Sequence, residues 1–293
     1  MIPVLIPVFN NPTYTRTFVN QLKARNVENI IILDNNSTYK PMLELLNDLE
    51  NEHQVIRLGY NRGPHYALRD SEFYSNLPNY FCLSDPDLEL SPNLPENFID
   101  TFVDISNHYK IGKVGFALEV PKEEEFAQLY MNLDGKLWNM REWEMQFWEN
   151  SIGKTTEGDD LYLTTLDTQF ALYNKNYFDP NKRYECLRVG GKFTAKHLGL
   201  YQQDNIPTEE LKYYRNSTRY SYFSGNTDEN NSPVFEISVH EYTKIIEELD
   251  SLRTNNEIIG NKLQELNQNL QKILQSRSWK LTSFLRKISS FLR

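Results

Sequence analysis

Cysteine is nearly absent from this 293-residue chain, and basic residues are outnumbered by acidic ones. The two cysteines, Cys82 and Cys186, lie far apart inside apolar stretches. That excludes a disulfide scaffold and a cysteine zinc cluster, and leaves two reduced core residues. A net charge of −9 speaks against a nucleic-acid protein, which would carry a basic footprint. No uninterrupted apolar stretch approaches the ~18 residues of a membrane span. The start, MIPVLIPVFNNP, has no basic leader and is broken by Pro3 and Pro7. No secretory signal is therefore expected, and a cytoplasmic location is. The turn after the first apolar run, VFNNPTYTR, contains no glycine, so the glycine-rich phosphate loop of a sugar-phosphate nucleotidyltransferase is missing. What the chain does have is aromatic bulk: 18 Tyr and 16 Phe supply ample material for a packed core and exclude global disorder.

The first ninety residues alternate short apolar runs with helical patterns. IPVLIPVF (2–9) reads as a strand closed by the turn signal Asn10-Asn11-Pro12, and residues 13–26 space Phe18, Val19 and Leu22 as one helix face. NIIILDNNS (29–37) is a second strand, residues 41–50 a second helix and HQVIRLG a third strand. NRGPHYALRDSEFYS is helical after Gly63-Pro64, and NYFCLSDPDLEL follows as a fourth strand. Continuous apolar strands separated by helices predict an α/β fold with a mostly parallel sheet covered on both faces. Ligands of such sheets bind beyond the carboxyl ends of the strands. Asn10, Asp34 and Asp85 all fall there. Further on, the pattern predicts a helix over 93–110, strands over 113–121 and 166–174, and a glycine-led strand or loop over 189–201. Three of the four tryptophans, Trp138, Trp143 and Trp148, stand in WNMREWEMQFWE. They step by five, which no single helix face accommodates, and suit either an acceptor cleft or the core. GNTDENNSP reads as an exposed loop.

From Ile245 the period changes. Ile245, Leu249, Leu252, Asn256, Ile259, Leu263, Leu266, Leu270 and Ile273 alternate steps of four and three. That is a heptad pattern, with Asn256 at an a position, where a lone Asn fixes register in parallel dimers. It predicts a homodimer through 245–273, against the alternative of one long helix folded onto the domain. Residues 276–293 contain Arg277, Lys280, Arg286, Lys287 and Arg293 and no acid, which leaves −14 on residues 1–275. Interleaved apolar and cationic residues with Trp279 suit a helix in an anionic membrane interface, or else a charged helix end. The expected division is a catalytic domain over 1–240, in halves 1–92 and 93–240, then a coiled coil over 241–275 and a basic tail over 276–293.

The pair Asp85 and Asp87, separated by Pro86, ends the apolar run YFCLSDPDLEL. Pro86 removes a ladder donor, so the strand stops here. Two carboxylates this close repel unless a cation lies between them. Hard divalent ions such as Mg²⁺ or Mn²⁺ take carboxylate oxygens and are completed by substrate phosphates. A simple Asx turn at a strand end is the alternative.

IPVFNNP, IIILDNNST, LGYNRGPHYALRD and LSDPDLEL, in this order and spacing, resemble the glycosyltransferases of the A-type fold, especially the family 2-like enzymes. Over the second half, DTQFALYNK, RVGGKFTAKHLGLY and SWKLTSFLR resemble a bacterial and viral group that builds surface glycans. The resemblance implies a nucleotide-diphosphate sugar as donor and Mn²⁺ or Mg²⁺ as metal. It implies donor contacts from Pro7, Phe9, Asn10, Asp34, Asn35, Arg62 and Asp85, with Phe9 and Asp34 at the base and ribose. The metal would fall to Asp85, Asp87 and His197, although a lone histidine is by itself more often structural. Arg62 or Arg69 would pair with the diphosphate or with Asp34.

One family feature is not recognisable, the acidic pair after a GGFDE-like segment that supplies the catalytic base. An inverting transfer needs a carboxylate to deprotonate the acceptor hydroxyl. Asp167, an acid leading an apolar strand, is the first candidate, and Glu144, among aromatic residues, the second; Glu142 and Glu149 are also available. The expectation is a metal-dependent enzyme moving a hexosyl or deoxyhexosyl unit to a glycan or lipid-linked glycan, held at the inner membrane face by its tail. A nucleotidyltransferase and a non-catalytic scaffold that binds nucleotide sugars are the competing readings.

Overall fold

The computed structural model describes residues 1–133, 136–182, 184–202, 205–217, 234–236 and 239–275. It divides into two compact units, residues 1–248 and the chain from 249 onward. The first unit begins with a parallel half. Strand β1 (Val4–Val8) leads through α1 (Pro12–Lys23) to β2 (Ile30–Asp34), and through α2 (Lys40–Leu49) to β3 (Gln54–Arg57). Both helices carry a proline in their first turn, where its fixed φ suits the helix and its missing N–H is no loss. Two short helices, α3 (Tyr66–Arg69) and α4 (Ser71–Asn76), precede β4 (Tyr80–Leu83). The sequence predicts one helix here, but Asp70 is extended, and its carboxylate accepts from the Phe73 N–H to start α4 afresh.

Strand β5 (Leu88–Leu90) and helix α5 (Phe98–Tyr109) lead to β6 (Lys113–Leu118). A small sheet follows, with β7 (Tyr130–Leu133) antiparallel to β8 (Lys136–Asn139), and then α6 (Met140–Met145). Strands β9 (Ser151–Lys154), β10 (Asp160–Thr165), β11 (Ala171–Asn174) and β12 (Glu185–His197) complete the main sheet. Helix α7 (Thr208–Ser217), β13 (Val234–Glu236), which pairs with β7, and α8 (Val239–Gln275) close the described chain.

The ten-stranded sheet runs β3-β2-β1-β4-β11-β6-β12-β10-β9, with β5 on β12. Strands β3, β2, β1 and β4 are parallel, and β11 enters antiparallel between β4 and β6. Alternate residues of β1 serve opposite faces. Val4, Ile6 and Val8 pack with Phe18, Met42, Phe98 and Phe102 of α1, α2 and α5, and Leu5 packs with Ala67 and Leu68 of α3. Helices thus cover both faces, as an α/β pattern requires. Under the antiparallel half, Phe98, Phe102, Phe116, Phe170 and Phe193 interlock with ring centroids 4.9 to 6.4 Å apart. Each such side chain contributes about 1.5–3 kcal/mol by burial.

Two expectations change. The run 166–174 is a strand only over Ala171–Asn174, and residues 166–170 instead form the turn from β10 into β11. The strand or loop expected over 189–201 is a strand of the same length that begins four residues earlier. It spans Glu185–His197 and bulges between Val189 and Thr194 where it passes β6. Cys82 and Cys186 are free and buried. In the second unit, Ile259, Leu263, Leu266 and Leu270 of α8 are exposed. No described helix is long and apolar enough to cross a membrane. The exposed loop expected at GNTDENNSP and the basic tail over 276–293 lie outside the described residues.

Candidate active site

The chain leaves β4 at Leu83 and crosses Ser84–Asp87 before β5. Strand β5 pairs antiparallel with the end of β12, placing Leu88 opposite His197, and the Leu198 N–H donates to the Asp87 carbonyl at 2.9 Å. This pairing brings together residues 110 positions apart: His197 Nε2 lies 3.2 Å from Asp87 Oδ2. One ligand atom each from Asp85, Asp87 and His197 lies within 4.8 Å of the others. The other Asp87 oxygen, Oδ1, is buried and has no hydrogen-bond partner among the described residues. An orphaned carboxylate oxygen is costly unless something positive meets it. Two carboxylates and an imidazole around one point fit a divalent cation with mixed oxygen and nitrogen preference, such as Mn²⁺.

The electrostatics agree with that fit. Burial, and then the charge of Asp87, push the Asp85 carboxyl well above the usual range, although hydrogen bonding by Thr168 and the nearness of His197 oppose the rise. Burial alone would lower the His197 imidazole, but Asp87, Asp85 and Glu144 together raise it.

Beside it lie the ends of β1 and β2. Asn10 and Asn36 adopt positive φ, 53° and 64°, which asparagine tolerates better than most residues. The Asn10 carboxamide oxygen accepts from the Thr38 and Tyr39 N–H groups at 2.7 and 2.9 Å. Asp34 Oδ1 accepts from the Ser37 N–H, and Asn35 Oδ1 from the Arg62 N–H. These polar side chains shape the two loops by satisfying their backbone donors. Pro7 is buried in β1, and Phe9 is half-buried, 6.5 Å from the Tyr214 ring. The Arg62 guanidinium sits over the Tyr60 and Tyr66 rings and pairs with Asp70 at 3.1 Å. Arg69 is exposed on α3.

Helix α7, which the sequence reading left unassigned, docks on the same loops. The buried Glu210 carboxylate accepts from the Thr13 N–H and hydroxyl, Tyr213 stacks on Tyr39, and Ser217 accepts from the Asn10 amide. No local pattern announces such a helix, because its partners are about 175 to 210 residues away.

The two candidate bases differ sharply. Asp167 stands on the turn before β11 with its carboxylate 48% exposed, and its Oδ1 lies 3.1 Å from Nε2 of the buried His65. It is close enough to Asp85 for its charge to be felt there. Glu144 is buried and ion-paired with the buried Arg188, which also lies over the Phe147 ring. Burial raises the Glu144 carboxyl, and Arg188 opposes the rise. Glu142 and Glu149 point to solvent. Trp143 is buried against Trp138 and Phe147, and Trp148 Nε1 donates to the Leu118 carbonyl at 3.0 Å. Three participants were missed, His65, Lys113 and Arg188. The only signal in the sequence was a charge set inside or against an apolar run, KVGFAL and ECLRVGG.

A mixed sheet with its acids at the carboxyl ends and a helix on each face is the architecture of an A-type glycosyltransferase. The chain belongs to glycosyl transferase family 2, whose model matches residues 4–177. Among curated proteins none matches the sequence. Its fold is similar to three solved structures. One is the mannosyltransferase PcManGT from Pyrobaculum calidifontis in complex with GDP-Man and Mn²⁺ (10% identity, 73% of this chain, 59% of that one, TM-score 0.43). Another is S. aureus TarS 1–349 (12%, 73%, 63%, 0.41). The third is GalNAc-T7 with UDP, GalNAc and Mn²⁺ (14%, 97%, 58%, 0.43). The chain spans less than two thirds of each of these proteins.

Proposed function

We propose that this protein transfers a hexosyl or deoxyhexosyl unit from a nucleotide-diphosphate sugar to a glycan or lipid-linked glycan, with inversion, in surface-polysaccharide synthesis. The observation that carries this reading is the Asp85–Asp87–His197 group with its orphaned Asp87 oxygen, set beside the Asn10 and Asp34 loops. Those loops receive the nucleoside, with Phe9 and Asp34 at base and ribose and Arg62 toward the diphosphate. A bound Mn²⁺ would neutralise charge developing on the departing diphosphate. Asp167 takes the proton of the acceptor hydroxyl. The acceptor oxygen then bonds to the anomeric carbon as the bond from that carbon to the diphosphate oxygen breaks. Asp167 is favoured over Glu144 because it is exposed and next to His65, whereas Glu144 is already neutralised by Arg188.

Thermal melting with a panel of nucleoside diphosphates, with and without Mn²⁺, tests the donor assignment. One member is expected to raise the Tm by about 5–10 °C at a hundredfold excess over its Kd, and only with Mn²⁺ present. A flat panel would sink the reading. A scaffold without catalysis would show the shift but no turnover of the sugar.

The C-terminal segments extend the proposal. The exposed Ile259, Leu263, Leu266 and Leu270 suit a parallel homodimer through 245–273, and the +5 charge of 276–293 suits an anionic membrane surface at the inner face. A chain ending at residue 275 is expected to sediment as a dimer like the full chain, yet to lose binding to anionic liposomes. Equal liposome binding, or monomers in both cases, would overturn the corresponding part.

A further inference from the structure

Lys113 opens β6 with only 1% of its surface exposed, in a place where an apolar side chain would fit the sheet without any desolvation cost. Its amine donates to the Leu166 carbonyl and, at 2.9 Å, to the Asp167 carbonyl, and it lies 5.3 Å from the centre of the Tyr173 ring. The preceding carbonyl, Thr165, accepts from Nε of the buried Arg188 at 2.8 Å. Three consecutive carbonyls, 165 to 167, therefore turn inward onto two buried cationic side chains. The next one, Thr168, accepts from the Asp85 N–H at 3.0 Å, and Phe170 anchors the far end of the turn in the phenylalanine cluster. The backbone that carries Asp167 is thus fastened to the core on one side and to the metal-binding loop on the other. With its carbonyls held inward, the Asp167 carboxylate is left half-exposed beside His65.

We infer that Lys113 is a positioning residue for glycosyl transfer, fixing the 165–168 turn so that the Asp167 carboxylate is held beside the Asp85–Asp87–His197 group. The inference rests on Asp167 being the base. Lys113 is buried with its amine taken up by two backbone carbonyls, so its removal is expected to act on the chemical step and not on donor affinity. Nothing in the local sequence shows this, because the amine reaches a turn 53 positions away.

The test is a cycle of four full-length proteins: wild type, Lys113→Met, Asp167→Asn and the double variant. Each is assayed for kcat and donor KM with Mn²⁺, and folding is checked by thermal melting. Lys113→Met is expected to lower kcat at least tenfold while KM for the donor stays within threefold. In the Asp167→Asn background it is expected to cost nothing further, since the group it positions is gone. Lys113→Gln, whose amide nitrogen still offers N–H donors on a shorter side chain, should recover part of the lost kcat. It replaces Lys113→Met in the cycle should the latter fail to fold. An unchanged kcat, a loss confined to KM, or an equal loss in both backgrounds would overturn the positioning role. Full activity in Asp167→Asn would instead overturn the base assignment on which it stands.

Discussion

Asp87→Ala is expected to reduce Mn²⁺-dependent transfer by about 10³-fold or more, the rate equivalent of the several kcal/mol a metal supplies to a departing diphosphate. The substitution removes the carboxylate whose buried Oδ1 has no partner among the described residues and whose Oδ2 faces His197. Asp85 and His197 alone offer too few ligand atoms to replace it. Two effects on stability oppose each other. Removing Asp87 relieves a repulsion from Asp85, but it also takes from the buried His197 the carboxylate that does most to raise it. In metal-free buffer the variant is therefore expected to melt close to the wild-type temperature. What it should lose is the upward shift on adding Mn²⁺ with a nucleoside diphosphate. Titrating Mn²⁺ into both proteins, by calorimetry and by rate, separates these effects. Transfer that stays Mn²⁺-dependent in Asp87→Ala would remove this residue from the metal site.

The balance between burial and charge also explains how far the sequence could be read. Runs such as VLIPV and IIIL are apolar throughout because both faces of a parallel strand are covered, so the β1–β4 half is visible in a one-dimensional pattern. Asp85 and Asp87 are conspicuous for the converse reason, being charges where packing alone would place none. The α8 helix is legible because its period runs unbroken. The antiparallel half is less so. Residues 166–170 look like the start of a strand, since Leu166 and Phe170 are apolar and fully buried. They form a turn because the Leu166 and Asp167 carbonyls find Lys113, as the preceding Thr165 carbonyl finds Arg188, in place of strand partners. Those partners come from β6 and β12, and nothing near residue 166 in the chain reveals them. His197 was identifiable only by likeness to a family, because its role comes from the β5–β12 pairing that sets it against Asp87.

Asp167→Asn is expected to lower kcat by about 10²–10⁴-fold, the range for a lost general base, while leaving donor affinity with Mn²⁺ within a few-fold of wild type. The amide keeps the size of the side chain and a partner for His65, so the turn should keep its shape. It cannot accept the acceptor's proton. Asp167→Ala makes room for a small carboxylate, and added formate should restore part of its rate but not act on Asp167→Asn. Glu144→Gln supplies the contrast. Removing that charge leaves Arg188 buried without its partner, which for a buried pair costs about 3–5 kcal/mol of stability. Its activity loss should track its melting temperature and recover on cooling, and formate should not rescue Glu144→Ala. If formate instead rescues Glu144→Ala while Asp167→Asn turns over normally, the base is Glu144, and Arg188 must release it when the acceptor binds. The exposure of Asp167 and the closed pair at Glu144 argue for the first outcome. A base must meet a proton arriving from outside, and of the two carboxylates only that of Asp167 is open to solvent.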